Sequence, residues 1–159
     1  MDKFFVRLFL GLLPIVYMVL IWMQSSHFNP ESIYSLSTNI RMEILLIAGI
    51  GFELFHFFQF GILYLFFTFA CLSFGRFTKG MELVLVVISM SCGLIDEIHQ
   101  MYVPFRSFSV DDLFKNGIGV LVVSLIIHKS YFSSKKSKLR MLLRRIESLS
   151  GNQNRNIHF

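Results

Sequence analysis

The chain has 159 residues, of which 54% are hydrophobic, and it carries a mean hydropathy of +0.61 and a formal net charge of +5. The length allows one folded domain and no second unit, and the composition is too apolar for an ordinary soluble domain. An integral membrane protein is therefore predicted.

Four apolar runs are each long enough to cross a bilayer, which takes roughly 20 helical residues. They span residues 4–23, 52–74, 81–103 and 109–132. The runs are continuous and lack the alternation of membrane β-strands, so we predict an all-α bundle of four transmembrane helices. The first run is interpreted as an uncleaved anchor, because its apolar core is long and no small-x-small cleavage pattern follows it.

The segment before the second run could either extend that run or form a separate helix. Residues 40–51, IRMEILLIAGIG, would extend that run far beyond the thickness of a bilayer if they joined it. Gly49 and Gly51 favour a break, so a short interfacial or re-entrant helix is predicted before the second span.

The distribution of basic residues predicts the topology. If both termini are cytoplasmic, twelve of the 15 Lys and Arg residues lie on the inner side, and only Arg41, Arg106 and Lys115 lie towards the outside. Cytoplasmic segments of membrane proteins carry such an excess of positive charge. We therefore expect a multi-pass protein of the cell membrane with its N and C termini inside.

Residues 93–119, GLIDEIHQMYVPFRSFSVDDLFKNGIG, concentrate polar side chains between two apolar runs. In the predicted topology they surround a short outer hairpin that follows Pro104, with Ser109 as the N-cap of the fourth helix. Side chains three or four positions apart share a helix face. The resulting polar faces are Glu97 with Gln100, Asp96 with His99 and Gln100, Asp112 with Asn116 and Gly119, and Glu53 with His56.

These faces are expected to meet each other or a water-filled cavity, because a charge at the bilayer centre costs roughly 2.5–3.5 kcal/mol or more. Each residue also has a purely structural interpretation. Ser109 and Asp112 fit a helix cap, Asn116 and Gly119 fit close helix packing with a cross-helix hydrogen bond, and Arg106 fits a contact with lipid phosphate. His56 and His99 fit hydrogen-bonded residues at a helix junction. A buried ion-pair network that holds the bundle together therefore stays open as an alternative.

A divalent metal is a weaker hypothesis. Glu53-x-x-His56 and Asp96-x-x-His99 are carboxylate-x-x-His pairs of the kind found in di-metal helical bundles. Two short matches carry little information, and no other cofactor is predicted from the sequence.

At the hairpin the sequence resembles the VanZ-like family of small bacterial membrane proteins. The family pattern is E-x-x-Q, then P-x-R-S, then D-x-x-x-N-x-x-G. In this chain it reads Glu97-x-x-Gln100, Pro104-Phe105-Arg106-Ser107 and Asp112-x-x-x-Asn116-x-x-Gly119, preceded by His56-Phe57-Phe58-Gln59-Phe60-Gly61. The resemblance covers residues 50–128 within a predicted membrane domain of residues 1–132. It departs from the pattern at Phe105, where Gly is frequent, and at Lys115.

The resemblance implies a role in the bacterial cell envelope, since the family is named for a protein that confers resistance to teicoplanin, a lipid-bearing glycopeptide. Three functions follow as hypotheses. The first is a pocket for a lipid-bearing antibiotic or a lipid-linked wall precursor, with His56, Glu97, Gln100, Arg106, Asp112 and Asn116 as binding residues. The second is an intramembrane enzyme with Glu97 or His99 as general base. The third is a structural membrane scaffold.

Residues 133–159 form a basic tail, in which KKSKLRMLLRRIESL has an amphipathic pattern. It places the apolar side chains of Leu139, Leu142, Leu143, Ile146 and Leu149 on one face. We predict a cytoplasmic helix that lies on anionic lipid, and no nucleic-acid partner.

Overall fold

A computed structural model describes residues 3–27, 42–75, 77–104, 106–133 and 137–150, with the backbone alone described at 42–46, 48–50, 52, 53 and 56. All regular structure in these residues is helical, which confirms the all-α class. The helices are α1 (Lys3–His27), α2 (Met42–Phe74), α3 (Lys79–Gln100), α4 (Val110–Phe132) and α5 (Lys138–Ser148).

Three of these helices begin at a hydroxyl residue that caps the first turn. The side-chain oxygen of Thr78 accepts a hydrogen bond from the Met81 amide at 3.2 Å and starts α3. Ser109 accepts one from the Asp112 amide at 3.2 Å and starts α4. Each cap satisfies an amide that has no partner within the helix. The prediction of Ser109 as an N-cap is confirmed.

The predicted break at Gly49 and Gly51 is wrong, and α2 is one continuous helix of 33 residues. A glycine inside a helix costs only about 1 kcal/mol relative to alanine. The surrounding Ile, Leu and Ala residues favour the helix, and there is no proline to interrupt it. The helix is therefore about 50 Å long, which exceeds the hydrocarbon thickness of a bilayer.

Two helical segments in the described part of the chain, Lys3–Ser26 and Phe57–Phe74, are long and apolar enough to cross a membrane. This is consistent with a membrane protein. Helices α3 and α4 have 22 and 23 residues, so their lengths also suit a bilayer. The four-span arrangement and the cytoplasmic location of both termini remain predictions.

Helix α2 is the central element and contacts each of the other four helices. Its backbone lies very close to that of α4, where Gly61 and Gly119 face each other. A Cβ on Gly119 would lie 1.9 Å from the Phe57 carbonyl oxygen, and one on Gly61 would lie 2.9 Å from the Gly119 carbonyl oxygen. Small residues permit such approaches between membrane helices. The packing interpretation of Gly119 is confirmed.

The tail helix α5 packs against α2 and α4. Leu143 and Ile146 are buried in the same apolar core as Phe77 and Tyr131, and Leu139 is partly buried against it. The apolar face that the sequence predicts for lipid is therefore divided: these side chains contact protein, whereas Leu142 is exposed. Amphipathicity shows that a helix has an apolar face, but it does not distinguish a protein surface from a lipid surface.

Candidate functional site

The last two turns of α3 place three polar side chains in the protein interior. Asp96, Glu97 and Gln100 are all buried, and Glu97 has 0% of its surface exposed. The Gln100 side-chain amide donates to Asp96 Oδ2 at 2.8 Å and makes a longer contact with Glu97 Oε1 at 3.5 Å. The spacing that predicted a shared face for Glu97 and Gln100 is thus realised.

Arg106, in the connection between α3 and α4, reaches back to both α3 and α1. Its guanidinium donates to Gln100 Oε1 at 2.6 Å and to the Ser25 carbonyl oxygen at 3.4 Å. A bond to a charged donor is stronger than one between neutral groups. Arg106 therefore fixes the connection against the end of α1.

The start of α4 is tied to the same group. The Ser109 backbone amide donates to Glu97 Oε2 at 3.2 Å, while the Ser109 hydroxyl caps α4. Asp112, one turn further, is half-buried and accepts a hydrogen bond from Lys115 at 3.0 Å. We call Asp96, Glu97, Gln100, Arg106 and Ser109 the hairpin network.

His99 faces α1 and has its own contacts there. Its Nε2 lies 2.9 Å from Ser26 Oγ, and its ring stacks on Trp22 with centroids 3.8 Å apart and planes at 24°. The sequence analysis missed these contributions of α1. Their signal was the position of Trp22, Ser25 and Ser26 at the end of the first apolar run, at the same predicted depth as the hairpin.

Asn116 differs from the members of the hairpin network because neither end of its amide is hydrogen-bonded to a described residue. The residue is 2% exposed, and its Oδ1 and Nδ2 have no hydrogen-bond partner among the described residues. Gly93 of α3 lies beside it, where a Cβ would be 3.4 Å from that of Asn116. Leaving a buried polar group unpaired costs roughly 1–3 kcal/mol.

The same asparagine lines a groove with a volume of about 330 Å³, which we call the α4 groove. Its other walls are apolar and come from Met90 of α3 and five residues of α4, including Leu113, Phe114 and Leu121. A smaller cavity of about 170 Å³ lies on the α1 side of α3 and includes Asp96, whose Oδ1 is also unpaired within the described residues. Unpaired buried polar atoms thus adjoin apolar space on both sides of α3.

The metal hypothesis remains untested. The side chains of Glu53 and His56 lie outside the described residues. The described residues include no group of three or more His, Cys, Asp or Glu side chains placed to hold a metal ion. Asp96 bonds to Gln100, and His99 contacts Ser26.

A second polar pair, which the sequence analysis also missed, joins the opposite ends of α3 and α4. His128 Nδ1 lies 2.8 Å from Glu82 Oε2, and Glu82 is 8% exposed. The two residues are 46 positions apart, so helical spacing within one segment gives no indication of their contact.

A comparison with protein-family models finds a match over most of the chain. A family model described as VanZ/LLP1 matches residues 5–132, which comprise all but the first two residues of α1 together with α2, α3 and α4. No curated protein and no solved structure matches the chain. The tail helix α5 lies beyond the matched residues.

Proposed function

The chain belongs to the VanZ/LLP1 family, and from this premise we propose that it protects a bacterial cell envelope by binding a lipid-bearing ligand. Glycopeptides of the teicoplanin type are the ligands that the family name suggests, and a lipid-linked wall precursor has the same two-part chemistry. The proposed site comprises the hairpin network, Asn116 and the α4 groove. It requires four spans with both termini inside, which the excess of basic residues near the termini supports.

The observation that carries this proposal is the buried Asn116 amide, which has no hydrogen-bond partner in the part of the chain that the structure describes. A buried amide without a partner lowers stability, so it is expected where a ligand completes its hydrogen bonds. Its oxygen and nitrogen would accept from and donate to a polar group next to the lipid chain. Helix packing alone would be served equally well by an apolar side chain at this position.

The α4 groove suits the lipid part of the ligand. Its walls are almost entirely apolar, and Phe114 and Leu121 are exposed at its edge. An alkyl chain there would replace bilayer lipid and gain van der Waals contacts with these side chains. The polar end of the same ligand would then lie towards the hairpin.

Arg106 suits the anionic part. It is half-buried, and its guanidinium has five N–H donors arranged for carboxylate or phosphate. Its contacts with Gln100 and Ser25 place it between α1 and α3, so it is positioned before the ligand arrives. The hairpin network is therefore assigned the role of orienting Arg106.

Susceptibility to antibiotics tests this function in a sensitive bacterial host that expresses the chain. Arg106→Ala should weaken binding by roughly tenfold or more, because it removes hydrogen bonds from a charged donor. The host should then lose protection against a teicoplanin-type glycopeptide. Lys129→Ala removes one exposed positive charge at the far end of α4 and is the matched control.

Protection should be unchanged by Lys129→Ala at equal protein levels. A glycopeptide without a lipid chain should show little dependence on the protein in any variant. Full protection by Arg106→Ala at normal expression would contradict the proposal.

A structural role is the second candidate, and one observation favours it. Both carboxylate oxygens of Glu97 are engaged, and Gln100 bonds at both ends of its amide, so most of the hairpin network is satisfied without a ligand. A satisfied buried network can hold helices in one arrangement. The two candidates differ at Asn116, which has no role in a purely structural network.

A further inference from the structure

The tail helix α5 is held on the bundle by polar as well as apolar contacts. The Tyr131 hydroxyl of α4 donates to Glu147 Oε1 at 2.9 Å, and Arg144 donates to Glu147 Oε2 at 2.7 Å. The Arg144 guanidinium also lies 4.3 Å from the centroid of the Tyr131 ring. We call Tyr131, Arg144 and Glu147 the tail cluster.

Helix α1 adds a further contact, because the Arg7 guanidinium donates to the Leu149 carbonyl oxygen at the end of α5. A cation at a helix C terminus also interacts favourably with the helix dipole. The tail helix therefore contacts three helices of the bundle and has a fixed rotation about its own axis.

That rotation divides the helix surface into two stripes. Leu139, Leu143 and Ile146 face the bundle and form the docked stripe. Lys138, Met141, Leu142 and Arg145 follow i, i+3, i+4, i+7 spacing and are all exposed. We call this second set the exposed stripe.

At 100° per residue, the exposed stripe is centred roughly 120° around the helix from the docked stripe. A helix whose docked stripe contacts the end of the bundle would thus turn the exposed stripe sideways, towards the surrounding membrane. Met141 is 62% exposed and Leu142 46%, which is unfavourable in water and favourable in the interface of a bilayer.

The charges on the exposed stripe also suit the interface of a bilayer. Neither Lys138 nor Arg145 makes an ion pair within the described residues. Their long side chains can reach phosphate groups while the apolar atoms beside them enter the acyl boundary. A stripe that combines exposed apolar and basic side chains is typical of helices that bind anionic leaflets.

We infer that α5 is a membrane-surface anchor, whose exposed stripe binds the anionic lipid of the cytoplasmic leaflet while its docked stripe holds the bundle. This goes beyond the proposed function, because it requires no ligand at the hairpin. It shares with that function only the membrane topology.

Fluorescence from a label on the exposed stripe tests the inference in the full-length chain. A Leu142→Cys variant with Cys71→Ala and Cys92→Ala would carry an environment-sensitive NBD label in nanodiscs. In nanodiscs with phosphatidylglycerol the label should emit at shorter wavelength and react more slowly with dithionite than in phosphatidylcholine alone. A label at Arg140→Cys, on the other flank of the docked stripe, should emit alike in both lipids.

Variants that change the charge of the exposed stripe test whether its basic side chains cause the label to insert. Lys138→Gln with Arg145→Gln should reduce the ratio of inserted to withdrawn label by about 25-fold, from about fivefold for each basic side chain. Lys138→Arg with Arg145→Lys keeps both charges and should behave as the unaltered pair. Equal insertion of the label in the two lipids would mean that the contact is apolar only, and this would overturn the inference. A label that stays exposed to water in both lipids would also overturn it.

Discussion

The two ends of the bundle both bury polar side chains, but they satisfy them differently. At the tail cluster, Tyr131, Arg144 and Glu147 bond directly to one another, and their atoms are paired. At the hairpin, the network around Glu97 is largely paired, but the adjoining Asn116 amide has no partner at either end within the described residues. The α4 groove lies beside that amide.

This difference separates groups that stabilise the fold from a group that is available to a ligand. A paired buried group contributes about 1 kcal/mol, whereas an unpaired one lowers stability. The tail end also has unpaired buried atoms, because Glu82 Oε1, Arg7 Nε and Ser150 Oγ have no partner among the described residues. Glu82 and Arg7 are bonded through other side-chain atoms, to His128 and to the Leu149 carbonyl oxygen, whereas neither end of the Asn116 amide has a partner among the described residues.

The largest effect is expected from Glu97, whose removal would break the paired part of the hairpin. Glu97→Ala leaves the Ser109 amide without its acceptor and opens a cavity in a fully buried position. We expect a loss of about 3 kcal/mol in the free energy of unfolding. Thermal unfolding of the purified protein in detergent measures it.

Asp111→Ala is the control for this prediction, because Asp111 is an exposed carboxylate in the first turn of α4. It should cost less than about 1 kcal/mol through the helix dipole. Similar melting temperatures for the two variants would mean that the hairpin network does not stabilise the bundle.

A smaller effect is expected at the other end of the bundle. Tyr131→Phe removes the hydroxyl that bonds Glu147 and should cost about 1 kcal/mol. The loss should be local and appear as faster proteolysis of residues 133–150, with antibiotic protection unchanged. Reduced protection at equal expression would show that the two ends of the bundle are coupled. It would contradict the view that the tail end serves only the fold.

Much of the hairpin was predictable from the sequence. Helical spacing placed Glu97 and Gln100 on one face, Pro104 marked the connection, and Ser109 had the residue type of an N-cap. These features depend on neighbours within a few positions. They therefore required no knowledge of how the helices pack.

The remaining features depend on tertiary contacts that leave little trace in the sequence. Arg106 bonds to the backbone carbonyl of Ser25, and any residue at position 25 would supply that oxygen. The unpaired state of Asn116 is a property of its surroundings rather than of its motif. The continuity of α2 through Gly49 and Gly51 also reflects context, since glycine only weakly opposes a helix.

The central claim is that Asn116 serves a ligand and not the fold. Its most direct test is calorimetric binding of a teicoplanin-type glycopeptide to the full-length protein in nanodiscs, with the melting temperature measured on the same samples. Ser89→Ala is a suitable control, since Ser89 is buried, is bonded to the Leu85 carbonyl oxygen and is not among the residues that line the α4 groove. It should retain binding and lose up to about 1 kcal/mol of stability.

Asn116→Ala should melt no lower than the unaltered protein, because it removes an unpaired buried amide, and it should bind at least about fivefold more weakly. A lower melting temperature together with undiminished affinity would contradict the account and favour a structural role for Asn116.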